Sequence, residues 1–139
     1  METAKIITIE ATVNAPIDKV WQYWSAPEHI TQWCQPSDDW HAPKAENDLR
    51  TGGKFSTTMA AKDGSMSFDF EGEYTEVIPG KYIAYQIADG RKVEISFTTE
   101  DGKTHIRESF EMENQNPEEM QRGGWQAILD SFKKHTENN

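Results

Sequence analysis

Between Gly53 and Met112 polar and apolar positions alternate, and four turn dipeptides, Asp63-Gly64, Pro79-Gly80, Asp89-Gly90 and Asp101-Gly102, cut that alternation into lengths of single strands. The pattern predicts strands over Glu46 to Thr51, Lys54 to Ala61, Met66 to Val77, Tyr82 to Ile87, Lys92 to Thr99 and Thr104 to Met112. The third of these is the clearest. Met66, Phe68, Phe70, Gly72 and Tyr74 share one face, and Ser67, Asp69, Glu71 and Glu73 share the other, as a sheet with one dry and one wet side requires. Val93, Ile95 and Phe97 extend the dry face, as do Ile106, Phe110 and Met112, with Glu108 interrupting the last set.

Upstream, Lys5 to Val13 alternates as a half-buried strand. Asn14-Ala15-Pro16 then introduces Ile17, Val20, Trp21 and Trp24 at helical spacing, and Ser25-Ala26-Pro27-Glu28 has the form of a capping box opening a second short helix that turns Ile30 and Trp33 inward. Gln35 to Asn47 has no period and two prolines; it is expected as a loop crossing one mouth of the domain, with Trp40 seated in it. Downstream of the strands, Pro117 to His135 carries Trp125, Ile128, Leu129 and Phe132 at helical spacing. A curved sheet gripping one long helix follows: an α+β domain spanning 1–139, with residues 136–139 expected as a disordered tail.

Composition narrows the partners. The hydrophobic fraction is only 35%, yet it includes five Trp, six Phe and four Tyr, so large rings must carry much of the packing. The formal net charge is −10 and no Lys/Arg cluster occurs, which argues against nucleic acid and against anionic membranes. A lone cysteine, Cys34, cannot form an internal disulfide, the first five residues lack the apolar run of a signal peptide, and no stretch approaches the ~20 apolar residues of a membrane span. A cytoplasmic protein, monomeric or weakly dimeric, is expected.

Candidate chemistry is sparse. No Gly-x-Ser-x-Gly element occurs, and Cys34 reads as packing rather than as a nucleophile. His29, His41, His105 and His135 lack metal-type spacing, so no metal and no cofactor are expected, and His105 falls on the wet face of its strand. Gly52-Gly53 precedes a strand rather than a helix, which favours a tight turn over a phosphate cradle. Glu108 is the best polar candidate: alternation puts it on the dry face, either as a cavity acid, or turned outward by a bulge, or paired with Arg50.

The order Asn14-Ala15-Pro16-Ile17-Asp18-Lys19-Val20-Trp21, Trp33, Trp40, Asp48-Leu49-Arg50-Thr51-Gly52-Gly53, Gly72-Glu73-Tyr74, Val77-Ile78-Pro79 and Gly124-Trp125 resembles the activator of heat-shock protein ATPase homologue group within the START-like, Bet v-like, helix-grip superfamily. The resemblance runs from about Lys5 to Phe132. It implies a β-α-α-β6-α order and a cavity that in relatives takes lipids, polyketides or other apolar molecules. The walls expected for such a cavity are Trp33, Trp40, Phe55, Met59, Phe68, Phe70, Tyr85, Phe97, Glu108, Phe110, Trp125 and Leu129. The expected function is non-catalytic binding of a small hydrophobic molecule. The alternatives are a cyclase- or aromatase-like enzyme using Glu108, and a chaperone-associated interaction module.

Overall fold

The computed structural model describes residues 5–35, 38–113 and 115–139. The expected leaderless stretch 1–4, and residues 36 and 37 of the expected loop, lie outside the described residues. Seven strands form one antiparallel sheet: β1 (Ile6–Val13), β2 (Trp40–Asn47), β3 (Lys54–Ala61), β4 (Ser67–Ile78), β5 (Tyr82–Ile87), β6 (Lys92–Glu100) and β7 (Lys103–Glu111). Their order across the sheet is β1-β7-β6-β5-β4-β3-β2, a meander from β2 to β7 closed by β1 on the far edge. Two short helices, α1 (Ile17–Ser25) and α2 (Pro27–Trp33), carry the chain from one edge to the other, and α3 (Glu118–Glu137) is the gripped helix. The α+β helix-grip arrangement predicted from the alternation is the one observed.

Turn chemistry sets the register. Asp101 and Gly102 both take positive φ, 51° and 77°, the conformation that lets two residues join β6 to β7 without splaying them. Two register shifts, between His41 and Lys44 on β2 and between Tyr74 and Glu76 on β4, add the local bend that curls the sheet. Gly72 adds a third device. A Cβ there would lie 2.6 Å from the Phe55 ring and 2.7 Å from the Gln86 carbonyl, so glycine is what lets Phe55 lie across β4.

Four details differ from the sequence reading. The stretch from Trp40 to Asn47 is strand β2, not loop; its weak period reflects an edge strand with Pro43 beside a bulge, where only some side chains are buried. Residues 48–51, the greater part of the strand expected over Glu46 to Thr51, lie instead in the β2–β3 connection together with the expected Gly52-Gly53 turn. There Gly53 approaches so close to the Asp48 carbonyl that a Cβ would sit 2.0 Å from it. The capping box does not form: Ala26 is the N-cap of α2 without a side-chain bond, and Ser25 Oγ donates back to the Trp21 carbonyl at 2.8 Å. Finally, α3 continues through Glu137, and Thr136, expected to begin a loose tail, is fully buried.

The dry face of the sheet is dry along only part of its length. Tyr74 is buried and Phe70 half-buried, but Phe68 and Met66 on the same face are 47% and 60% exposed. They extend beyond the reach of α3, which lies nearer the β1 edge. Arg122 Nη1 and Gln126 Nε2 on α3 each donate at 3.2 Å to β1 carbonyls, those of Thr8 and Glu10, satisfying groups that an edge strand otherwise leaves open. Gln121 fixes the start of the helix, accepting from the Glu113 amide at 3.0 Å and donating to the Asn116 carbonyl at 2.7 Å.

Candidate functional site

The rings divide into two groups. At one end of the grip, α1, α2 and α3 converge: Trp24 meets Phe132 edge-on at 4.8 Å, Trp33 meets Phe132 at 5.0 Å, and Phe97 receives Trp21 at 5.5 Å and Trp24 at 5.6 Å. Val20 and Phe132 are fully buried there. Toward the other end the sheet curls away from α3, and a hollow of about 360 Å³ remains.

Its walls come from every layer. The strands supply Phe55, Thr57 and Met59 from β3, Phe68, Phe70 and Tyr74 from β4, Tyr85 from β5 and Glu108 from β7. Trp125, Ile128 and Leu129 roof it from α3, and Trp24, Ile30, Trp33 and Cys34 close it toward the packed end. Glu46, Asn47, Arg91 and Gly124 complete the lining. Phe55 is the hub, with ring centroids 4.9 Å from Tyr85, 5.2 Å from Tyr74 and 5.7 Å from Phe70.

Three expected wall residues stand elsewhere. Phe97 belongs to the packed end, and Phe110 lies beneath Trp125, stacked at 4.0 Å and 10°, where it supports the roof without reaching the hollow. Trp40 meets Phe68 edge-on at 6.0 Å outside the cavity. Alternation placed Phe97 and Phe110 on the inward side, but it gives a face and not a distance along the strand. Trp40 was expected in a loop over the mouth and instead begins the edge strand β2.

Glu108 is turned inward. It pairs with Ile9 on β1 and Ile95 on β6 in an unbroken register, so no bulge rotates it out. Arg50 is far from it, held by Asp48 at 2.8 Å in the exposed β2–β3 loop. Burial alone pushes the Glu108 carboxyl up to about 8, with no neighbouring charge or hydrogen bond among the described residues to offset it. The same burial, aided by Glu108, raises the Cys34 thiol to about 12 and the Tyr85 phenol well above its ordinary value. Tyr74 is also raised by burial, but its hydroxyl donates to Asn47 Oδ1 at 2.5 Å, and Asn47 Nδ2 donates to the Ser25 carbonyl at 2.8 Å. That chain ties β4, β2 and the α1–α2 corner around the hollow.

Several lining residues were not singled out from sequence. Thr57 and Tyr74 alternate with chosen neighbours and were within reach of that logic. Trp24, Asn47 and Arg91 come from segments whose approach only the fold reveals. His29 and His135, remote in sequence, meet at 3.0 Å between Nδ1 and Nε2 beneath Tyr23, though no three metal-type ligands gather among the described residues. No helix among those residues is long and apolar enough to cross a membrane.

A curved antiparallel sheet wrapped on a long C-terminal helix, with a hollow left between them, defines a helix-grip protein of the START-like class. Within that class the chain belongs to the activator of Hsp90 ATPase homolog 1-like family, whose model matches residues 14–137. It is similar to the AHSA1-like protein of Aeromonas hydrophila, at 40% identity and a TM-score of 0.91 over 96% of this chain and 93% of that one. It is also similar to a protein of Cytophaga hutchinsonii, at 60% identity and a TM-score of 0.82 over 96% of this chain and 92% of the other. A Chromobacterium violaceum protein at 22% identity and a TM-score of 0.86, over 97% of this chain and 99% of that one, shares the fold. No curated protein matches the chain.

Proposed function

We propose that this protein binds a small, largely apolar molecule in the hollow beneath α3, without transforming it. The observation that supports this most directly is the hollow itself. A space of about 360 Å³ walled mainly by rings and aliphatic side chains lies within the ~300–1,000 Å³ range of small-molecule sites. A sheet and helix free to pack fully would close such a space, since protein interiors tolerate few voids. The thiol that could act as a nucleophile is held neutral by burial, which favours binding over covalent catalysis.

The test uses the uncharged fluorophore N-phenyl-1-naphthylamine and a variant that fills the hollow. Thr57 is buried and borders it from β3. Wild-type protein should enhance the fluorescence saturably, and Thr57→Phe should weaken binding by at least about tenfold while melting within a few degrees of wild type. Native mass spectrometry of the freshly purified protein should show a retained organic molecule. Absence of saturable binding, or binding unaltered by Thr57→Phe, would sink the proposal.

One observation favours a second reading, a cyclase- or aromatase-like enzyme. A carboxyl raised to about 8 is still protonated at neutral pH and so can donate a proton into the hollow. Turnover of an aromatic polyketide substrate that vanishes in Glu108→Gln, with binding retained, would establish it.

A further inference from the structure

Glu108 stands out within the hollow because it is a buried acid without a counter-ion. It rises from the middle of β7 between Ile9 and Ile95, only 6% exposed, and no hydrogen bond or cation among the described residues meets its carboxylate. A structural acid at such depth is ordinarily paired, because an uncompensated carboxylate is costly. The groups that face it do not supply the pairing. Tyr85 of β5 and Cys34 at the end of α2 are neutral neighbours whose own titration Glu108 shifts upward. Tyr74 is committed to Asn47, Glu46 adds a further acid at the rim, and α3 presents Trp125, Ile128 and Leu129. Arg91 borders the hollow from the β5–β6 turn and its charge is felt by Tyr85, but its Nε is held by Asp89 at 2.8 Å and its Nη1 by the Glu111 carbonyl at 3.4 Å, and it makes no ion pair with Glu108.

The vacancy therefore has one sign. Phe55, Phe70, Tyr74, Tyr85 and Trp125 surround it, and aromatic rings attract cations through their quadrupoles, most strongly where water is excluded. Resting on the reading of the hollow as a ligand site, we infer that it selects an apolar ammonium ion, with Glu108 as counter-charge and the surrounding rings as a cage. The net charge of −10 draws such ions toward the protein from solution.

Binding is coupled to a proton. In the empty hollow Glu108 holds its proton up to a pH of about 8. When the ammonium ion enters, the O–H bond of the carboxyl breaks, the electron pair stays on oxygen to face the cation, and the proton leaves to solvent. Charge balances: one cation in, one proton out. Affinity should therefore climb as pH rises toward 8 and level off above it, while Tyr85 and Cys34 stay neutral throughout.

Three probes of one shape test this by isothermal titration calorimetry at pH 6 and pH 8, in buffers of different ionisation enthalpy: benzyltrimethylammonium, its uncharged carbon isostere neopentylbenzene, and the anion 2,2-dimethyl-3-phenylpropanoate. The cation should bind at least about tenfold more tightly than the isostere at pH 8 and lose more than about tenfold at pH 6, with the anion weakest. It should release close to one proton at pH 6. In Glu108→Gln, the pH dependence should disappear and the preference should fall to what the rings alone supply, while neopentylbenzene still binds, which also shows that the variant is folded. Neutral or anionic probe binding as tightly as the cation in wild type, or a cation preference and pH dependence undiminished in Glu108→Gln, overturns the inference and leaves the cavity reading standing. Failure of all three probes together with N-phenyl-1-naphthylamine overturns both.

Discussion

The two aromatic clusters use the same residue types to opposite ends. Where the three helices converge, Trp21, Trp24, Trp33, Phe97 and Phe132 meet one another edge to face at 4.8–5.6 Å, and the rings are each other's solvent. Under the outer half of the sheet, Phe55, Phe70, Tyr74 and Tyr85 touch at their edges but enclose about 360 Å³ that no side chain fills, with an unpaired acid on its floor. The difference is one of support. The packed end is closed from above by α1, α2 and α3 together. The hollow has α3 alone as its roof, and from there the sheet bends away through the bulges of β2 and β4. Density at one end fixes the helix, and that rigidity is what lets the other end remain open.

The largest expected effect tests that division directly. Phe132 is fully buried among Trp24 and Trp33, so Phe132→Ala should cost ~3–5 kcal/mol in urea unfolding. Phe55→Ala, which enlarges a space already present, should cost about half as much or less, because fewer atoms surround the ring. Equal losses would mean that the hollow end is packed as firmly as the other and would erase the comparison.

The pH dependence of stability comes next. A carboxyl whose titration is raised by folding from 4.5 to about 8 binds more protons in the native state than in the unfolded chain throughout that interval. Its contribution is therefore fully present below about pH 4.5 and is lost as pH rises through 8, by an amount on the order of a few kcal/mol. The measurement is the difference between wild type and Glu108→Gln, from urea unfolding at half-unit steps of pH. The two curves should diverge above pH 5, with the variant becoming the more stable. Parallel curves would show that Glu108 has found water or a partner and that the hollow is wet.

Much of this was legible in the residues. Alternation and turn dipeptides marked the strands from Lys54 to Met112, and the 3.6-residue period of Trp125, Ile128, Leu129 and Phe132 marked the gripping helix. Alternation put Glu108 on the dry face, but an outward bulge or a pairing with Arg50 was the favoured outcome there. Neither occurs, and only the register of β7 with both neighbours and the distance to the β2–β3 loop decide the matter. What stayed hidden depends on distances between remote segments. An edge strand such as β2 buries too few side chains to show a period. Phe97, Phe110 and Trp125 look alike in sequence, although one plugs the packed end, one props the roof and one is the roof. Nothing in the spacing of Ser25 and Glu28 reveals that the Ser25 hydroxyl prefers a carbonyl of the preceding turn.

The smallest effect separates two kinds of dissatisfied polar group. Thr136, one turn beyond Phe132, is fully buried, and its hydroxyl oxygen is sealed from solvent without a hydrogen bond, whereas the Glu108 carboxyl, which also lacks one, opens onto the hollow. The Thr136 hydroxyl faces packed side chains and borders no hollow, so it costs stability and offers nothing to a ligand. Thr136→Val keeps the shape and removes the unmet hydroxyl; the variant should gain about 1 kcal/mol in urea unfolding and bind N-phenyl-1-naphthylamine as wild type does. Glu108→Gln also removes an unfavourable buried group above pH 5, but that variant should bind benzyltrimethylammonium less tightly as well. If Thr136→Val altered probe affinity as well, the packed end would be part of the site, and the boundary between the two clusters would have to be moved toward the end of α3.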